Sequence, residues 1–157
     1  MSKLFTYKSE QFLPVEPSVL FEFFSVPENL SKLTPPETGF RVVHTTHSRI
    51  VQNTQLTYSI KQMGIPMKWV AQIEEWMPNA YFTDVQIKGP FAWYKHKHIL
   101  EKTTGGTIVR DELQYRLPGG WLGALIGQRW VQKTLQQTFQ YRQDKMRELF
   151  PPQSHTN

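Results

Sequence analysis

At 157 residues the chain has the length of one domain and can bury a core of its own. It has no cysteine, which excludes a disulfide framework and thiolate metal sites, and its net charge of +5 is spread from Lys3 to Arg147 rather than gathered into a nucleic-acid-binding arm. The first residues lack the apolar stretch of a signal peptide and no apolar run approaches the roughly 20 residues of a bilayer span, so the expected setting is the cytoplasm, without stable membrane insertion.

Residues 3–13 read as a strand, with Phe5, Tyr7 and Phe12 set among polar residues until Pro14 and Pro17 stop it. Pro17 to Ser25 suits a short helix: proline is tolerated in the first turn, and Leu20, Phe21 and Phe24 form an apolar stripe. A second helical turn, Pro27 to Leu33, ends before Thr34-Pro35-Pro36. Helices this short cannot bury themselves. They must close one end of something larger.

From Gly39 to Arg116 the pattern is strand and turn. Phe40 to Thr46 is one strand. Gln55 to Gln62 alternates, with Leu56, Tyr58 and Ile60 facing in and Thr57, Ser59 and Lys61 facing out. A turn at Met63-Gly64-Ile65-Pro66 leads into a strand carrying Met67, Trp69, Ala71 and Ile73 on one face. Pro78-Asn79 turns into Tyr81 to Lys88, and Gly89-Pro90 turns into a strand that includes Tyr94-Lys95-His96-Lys97-His98. Gly105-Gly106 signals a hairpin, and the strand after it puts Val109, Asp111, Leu113 and Tyr115 on one face. Trp121 to Phe150 is the longest periodic helix, with Leu122, Leu125, Val131, Leu135, Phe139, Met146 and Leu149 near helical spacing. Pro151-Pro152 ends it.

The expected fold class is therefore α+β: a meander of about seven antiparallel strands, two short helices after the first strand, and a long C-terminal helix against the apolar face of the sheet. Residues 1–150 form one domain, and residues 151–157 are a frayed tail. Strong curling of the sheet around the helix would leave a cavity between them.

Candidate chemistry centres on the histidine strand. Lys95 and Lys97 must face water, so Tyr94, His96 and His98 face inward, toward Asp111 and Tyr115 on the next strand. The two histidines lie about 6.5–7 Å apart along the strand, and Asp111 on a neighbouring strand can reach one of them. A carboxylate there would orient the imidazole and raise its pKa. Four readings of the pair stand: a satisfied polar cluster that fixes register, a polar recognition group in a greasy pocket, a general acid/base pair with His96, His98 and Asp111 as the catalytic candidates, and a metal site completed by Asp84 or Asp111. For the last, His44, His47 and His155 have no ligand spacing, and no metal or cofactor is expected. Asp84 is ambiguous, since apolarity alone turns Tyr81, Val85 and Ile87 inward and Asp84 outward. A Gly-x-Ser-x-Gly elbow and a phosphate loop are both missing. Most aromatics, Trp69, Phe82, Trp121 and Phe139 among them, fall at core spacing, which argues against a nucleic-acid surface.

The set Phe82-x-Asp84-x-Gln86-x-x-Gly89-Pro90-Phe91, Tyr94-x-His96-x-His98 and Thr107-x-x-x-Asp111-x-x-x-Tyr115-x-x-Pro118 resembles the SRPBCC (START-like) superfamily, and within it the polyketide cyclase/dehydrase and lipid-transport group. Thr34-Pro35-Pro36 and Tyr141-Arg142 fit the same pattern. The resemblance implies a helix-grip fold whose curved sheet wraps the last helix around an apolar cavity. It also implies binding of a lipid-like or polyketide-like molecule, in some members with cyclisation or dehydration, and it turns Asp84 and Gln86 toward the histidines. The expected partner is thus a small hydrophobic or amphipathic molecule. Its expected binding residues are Tyr58, Trp69, Asp84, Gln86, Tyr94, His96, His98, Asp111, Tyr115 and Phe139, in a cavity also walled by Leu56, Ile73, Leu113, Leu125 and Leu135.

Overall fold

The computed structural model describes residues 2–62 and 64–154. Along the chain come β1 (Leu4–Leu13), α1 (Pro17–Phe24), α2 (Asn29–Lys32), a 3-10 turn (Pro36–Thr38), β2 (Arg41–Thr45), β3 (Gln55–Gln62), β4 (Ile65–Met77), β5 (Tyr81–Lys88), β6 (Trp93–Thr103), β7 (Gly106–Arg116) and α3 (Gly120–Leu149). The strands form one seven-stranded antiparallel sheet in the order β1-β7-β6-β5-β4-β3-β2. Strands β2 to β7 pair in chain order because short connections join most of them; Asn79 and Gly105 supply the left-handed residues of two of these turns. β1 instead pairs with β7, Leu4 against Arg116 through Leu13 against Thr107.

The sheet bends where its ladders slip. Register shifts fall between Val42 and His44 in β2, and between Val70 and Ala71 and between Ile73 and Glu75 in β4. An extra residue on one side of a ladder kinks the strand and increases its twist. β4 therefore curls the sheet at its middle. β4 also begins earlier than expected: Ile65 and Pro66 are strand residues, not turn residues. Pro66 is tolerated because β4 there pairs with β3 alone, β5 joining only from Val70. Met63 of that expected turn lies outside the described residues, as do residues 155–157 of the tail, His155 included.

Two apolar clusters flank the sheet's inner face. One joins Leu20, Phe21 and Phe24 of α1 to Phe82, Leu100 and Met146. The other joins Phe5, Leu113 and Tyr115 to Val131 and Phe139 of α3. The C-terminal half of α3 lies on β1: Phe139 packs on Tyr7 with ring centroids 5.0 Å apart, and Gln143 Nε2 donates to Ser9 Oγ at 2.8 Å.

The N-terminal half of α3 departs from its expected stripe. Val131, Phe139 and Met146 are buried, but Leu122 and Leu125 are exposed, and so is Trp121, expected in the core; at the other end of the helix Leu149 is exposed as well. Helical phase explains it. Gly123 and Gly127 face the interior, and Leu125 lies about 200° around the helix from Gly127. The apolar spacing in the sequence runs on past the point where the sheet has anything to offer it.

Candidate functional site

β6 presents His96 and His98 on one face two residues apart, and neighbouring ladders bring a carboxylate to each side. Asp111 of β7 stands opposite His98, and Asp84 of β5 stands opposite His96. The side chains then bond diagonally as well, within reach for long groups on adjacent strands. His96 Nε2 lies 2.8 Å from Asp111 Oδ1, His98 Nε2 lies 2.8 Å from Asp84 Oδ2, and His98 Nδ1 lies 3.2 Å from Asp111 Oδ1. The two imidazole centroids are 3.7 Å apart. The His98 ring stacks on Phe82 at 4.2 Å, while His96 meets Phe139 edge-on at 5.7 Å, so the pair joins the two apolar clusters. Asp84 thus faces inward. Its apolar strand-mates were misleading because Ile87 is exposed and Phe82, two residues before Asp84, carries the buried face.

Arg142 of α3 completes the group. Its Nη2 lies 3.7 Å from Asp111 Oδ1 and 3.3 Å from His98 Nδ1. Sequence reasoning gave Arg142 no role at the site. The signal was present: it follows Phe139 by three residues and precedes Met146 by four, which puts it on the helix's buried stripe.

These contacts fix the protonation pattern. Burial favours the neutral form of Asp111, but Arg142 and the hydrogen bonds from His96 and His98 outweigh it and hold the carboxyl well below its usual range. Asp84 is lowered in the same way, its burial overcome by the His98 hydrogen bond and nearby cations. An ionised carboxylate only accepts, so the facing nitrogen of each histidine carries the proton. Burial opposes charge on His98 too, yet hydrogen bonds to Asp111 and Asp84 raise its pKa and favour the imidazolium, the form in which both nitrogens donate. Arg142 Nη2 reaches His98 Nδ1 at 3.3 Å and Asp111 Oδ1 only at an ion-pair distance of 3.7 Å, so His98 Nδ1 lies between a guanidinium and a carboxylate. His96 goes the other way: burial and the charge of His98 lower its pKa against the pull of Asp111. It is a neutral imidazole whose Nε2–H donates to Asp111, leaving Nδ1 as an acceptor. With His98 protonated, as its raised pKa favours, the two carboxylates, the guanidinium and the imidazolium sum to zero. The cluster is closed in charge.

The cluster sits on the wall of a cavity of about 560 Å³, mostly apolar in lining and partly open to solvent. Tyr58, Trp69, Asp84, Tyr94, His96, His98 and Phe139 line it, together with Leu56, Ile73, Leu135 and Arg142. Trp69, Phe91 and Tyr94 form an aromatic group, with Trp69 and Tyr94 meeting edge-on at 4.9 Å. Burial and the nearby Asp84 carboxylate raise the hydroxyls of Tyr58 and Tyr94 well above the usual phenol range, so both stay protonated donors.

Five expected wall or site residues lie elsewhere. Asp111 stands behind the histidines. Tyr115 is buried against Phe5 and Phe91. Gln86 clamps the β5–β6 connection, donating from Nε2 to Phe91 O at 2.8 Å and accepting from Phe91 N at 3.2 Å. It folds over Gly89, where a Cβ would lie 2.5 Å from Gln86 Oε1. Leu113 is fully buried in the β1–β7 core, and Leu125 points to solvent. Residues that sequence reasoning left out, including Thr34, Phe40 and Thr138, line the cavity because loops and the polar positions of α3's inner stripe help close it; strand alternation carries no signal for them.

Asp84, His96 and His98 offer donor atoms within 4.8 Å of one another, a spacing that can hold a metal ion. Their electrostatics fit one poorly. A dication there would have to displace the His98 proton and would face Arg142 in a group whose charges already cancel.

A curved antiparallel sheet closed over a long helix, with an apolar cavity and a buried ionic cluster between them, defines a helix-grip protein. The chain belongs to the polyketide cyclase/dehydrase and lipid transport family, whose profile matches residues 13–143. Among solved structures, it is similar to a protein of Thermus thermophilus with a TM-score of 0.67 and 21% identity, over 91% of this chain and 94% of that one. A Thalictrum norcoclaurine synthase point mutant, in complex with a transition-state analogue, aligns over 96% of both chains with a TM-score of 0.71 and 11% identity. The di-domain ARO/CYC StfQ of the steffimycin biosynthetic pathway aligns with a TM-score of 0.73 and 9% identity, over 94% of this chain but 50% of its own length. At these identities the likeness is one of fold. A search of the curated proteins found no match. Among the described residues, no helix is long and apolar enough to cross a membrane.

Proposed function

We propose that the protein binds a hydrophobic or amphipathic small molecule in this cavity, without transforming it, and that the molecule's polar end is uncharged. The observation that carries the reading is the pairing of a mostly apolar cavity of about 560 Å³, within the usual size range of small-molecule sites, with one polar wall. Apolar burial supplies affinity. His96 Nδ1, the Tyr58 and Tyr94 hydroxyls and the remaining donors of Arg142 supply orientation. Because the ionic cluster already cancels its own charge, a charged ligand group would bring an uncompensated charge into the interior; a carbonyl or hydroxyl brings only hydrogen-bonding needs that these groups meet.

Native mass spectrometry of the purified protein, followed by organic extraction, is the first test, and a co-purified neutral lipid-like molecule is the expected result. A titration with the fluorescent probe anilinonaphthalene sulfonate complements it. Wild type is expected to enhance the probe's fluorescence at one site, and Thr138→Trp, which fills the cavity, to abolish the enhancement. Equal fluorescence with both proteins, and no extracted molecule, would remove the basis of the reading.

One observation favours a second reading, an enzyme of the cyclase, dehydratase or isomerase kind. His96 is a neutral imidazole oriented by a carboxylate and lining the cavity, which is the arrangement a general base requires. NMR titration of the imidazoles separates the two. A His96 ring that never takes a proton across the accessible pH range is no usable base.

A further inference from the structure

We propose that the outer face of the first turns of α3 docks on an anionic lipid bilayer and brings the cavity mouth against it. Trp121, Leu122, Leu125 and Ile126 are 76%, 51%, 70% and 75% exposed. Their spacing (i, i+1, i+4, i+5) gathers them on one side of the helix, where scattered surface leucines would not fall. Exposed Arg129 follows Leu125 by one turn, and exposed Lys133 follows Arg129 by another. Apolar side chains thus meet the bilayer first, with two cations at headgroup level behind them, the composition of an interfacial helix with tryptophan at the boundary.

Charge selects the occupant. α3 holds no acidic residue from Gly120 to Gln143, and the whole chain carries a net charge of +5. An anionic headgroup layer complements that surface. A second copy pairing through this face would set one acid-free helix surface of a +5 chain against another. Position supports the bilayer as well. On the inner side of the same turns, Gly123, Gly127 and Trp130 line the cavity, so the patch is its rim. The β3–β4 hairpin, whose Ile60, Lys61 and Met67 line the same cavity, carries a further exposed apolar residue, Ile65. Docking here would let an apolar guest pass between bilayer and cavity without crossing water. The docking itself does not depend on whether the cavity holds a guest.

The test is sedimentation of the full chain with phosphatidylcholine vesicles, with and without phosphatidylglycerol. Wild type is expected to bind the anionic vesicles, to bind neutral ones far more weakly, and to be released by salt. Leu125→Glu/Ile126→Glu is expected to lower the partition coefficient by at least about tenfold, and Arg129→Gln/Lys133→Gln by several-fold. These side chains are exposed, and unchanged melting temperature and probe binding in both variants would show that fold and cavity are intact. Equal partition to both vesicle types, or none, overturns the proposal. So does a concentration-dependent dimer in sedimentation velocity that Leu125→Glu/Ile126→Glu abolishes while vesicle binding persists unchanged, since the face then belongs to a second copy.

Discussion

Asp111 Oδ1 receives a hydrogen from His96 at 2.8 Å and lies 3.2 Å from His98 Nδ1 and 3.7 Å from Arg142 Nη2, and its side chain is buried. Asp111→Asn removes the charge that holds two cations in the interior and is expected to destabilise by about 3–5 kcal/mol, the usual cost of breaking a buried ionic group. Asp84→Asn, at a more accessible position and serving one histidine, is expected to cost less; urea denaturation of both variants checks the order. The two histidines also oppose each other in pH dependence. His98 has a raised pKa, so its stabilisation is complete below about pH 6.5 and is lost as pH rises through its folded value. His96 has a lowered pKa, so its stabilisation is complete above about pH 6.5 and is lost as pH falls through its folded value. Melting temperature followed against pH should therefore flatten on the alkaline side in His98→Gln and on the side just below pH 6.5 in His96→Gln. Alternation along β6 and β7 made this trio legible from sequence. That the two imidazoles would hold different charges was not legible, because the difference arises from a second carboxylate and a guanidinium brought in by other elements.

At the next scale, α3 joins the sheet through a turn with little room. Gly119 and Gly120 take left-handed conformations, and a Cβ on Gly123 would lie 1.9 Å from Pro118 O. A Cβ on Gly127 would meet only Leu117 Cδ1, at an ordinary 3.6 Å. Gly123→Ala must therefore move the start of the helix or the Pro118 carbonyl and is expected to cost about 1–3 kcal/mol, the range for overpacked sites. Gly127→Ala is expected to be neutral or slightly stabilising, since alanine favours the helix by about 1 kcal/mol over glycine. Thermal melts of the two variants make the comparison. The two interior-facing glycines of this turn of helix thus divide into one essential contact and one dispensable one. The exposed stripe at the start of α3 teaches the same lesson. Helical spacing identifies a face, but only the neighbours decide whether that face is covered.

For the molecule as a whole, an apolar cavity of about 560 Å³ leaves its lining without contacts that a bound guest would restore. A ligand that binds only the folded state, at about a hundred times its Kd, is expected to add about 2.7 kcal/mol of stability. A thermal shift should appear with the extracted molecule and vanish in Thr138→Trp, which occupies the space itself. The sequence alone determined the order of elements, the antiparallel meander, the closing helix and the inward trio of His96, His98 and Asp111, because strand and helix periodicities are local properties that residue patterning records. The tertiary structure decided that Arg142 joins the cluster, that Asp111 and Tyr115 stand behind the cavity, and that Leu125 and Trp121 face out; Asp84, which alternation left ambiguous, turns in as the family resemblance implied. Those outcomes depend on which surfaces of a bent sheet and a projecting helix meet. No periodicity within a single segment carries that information.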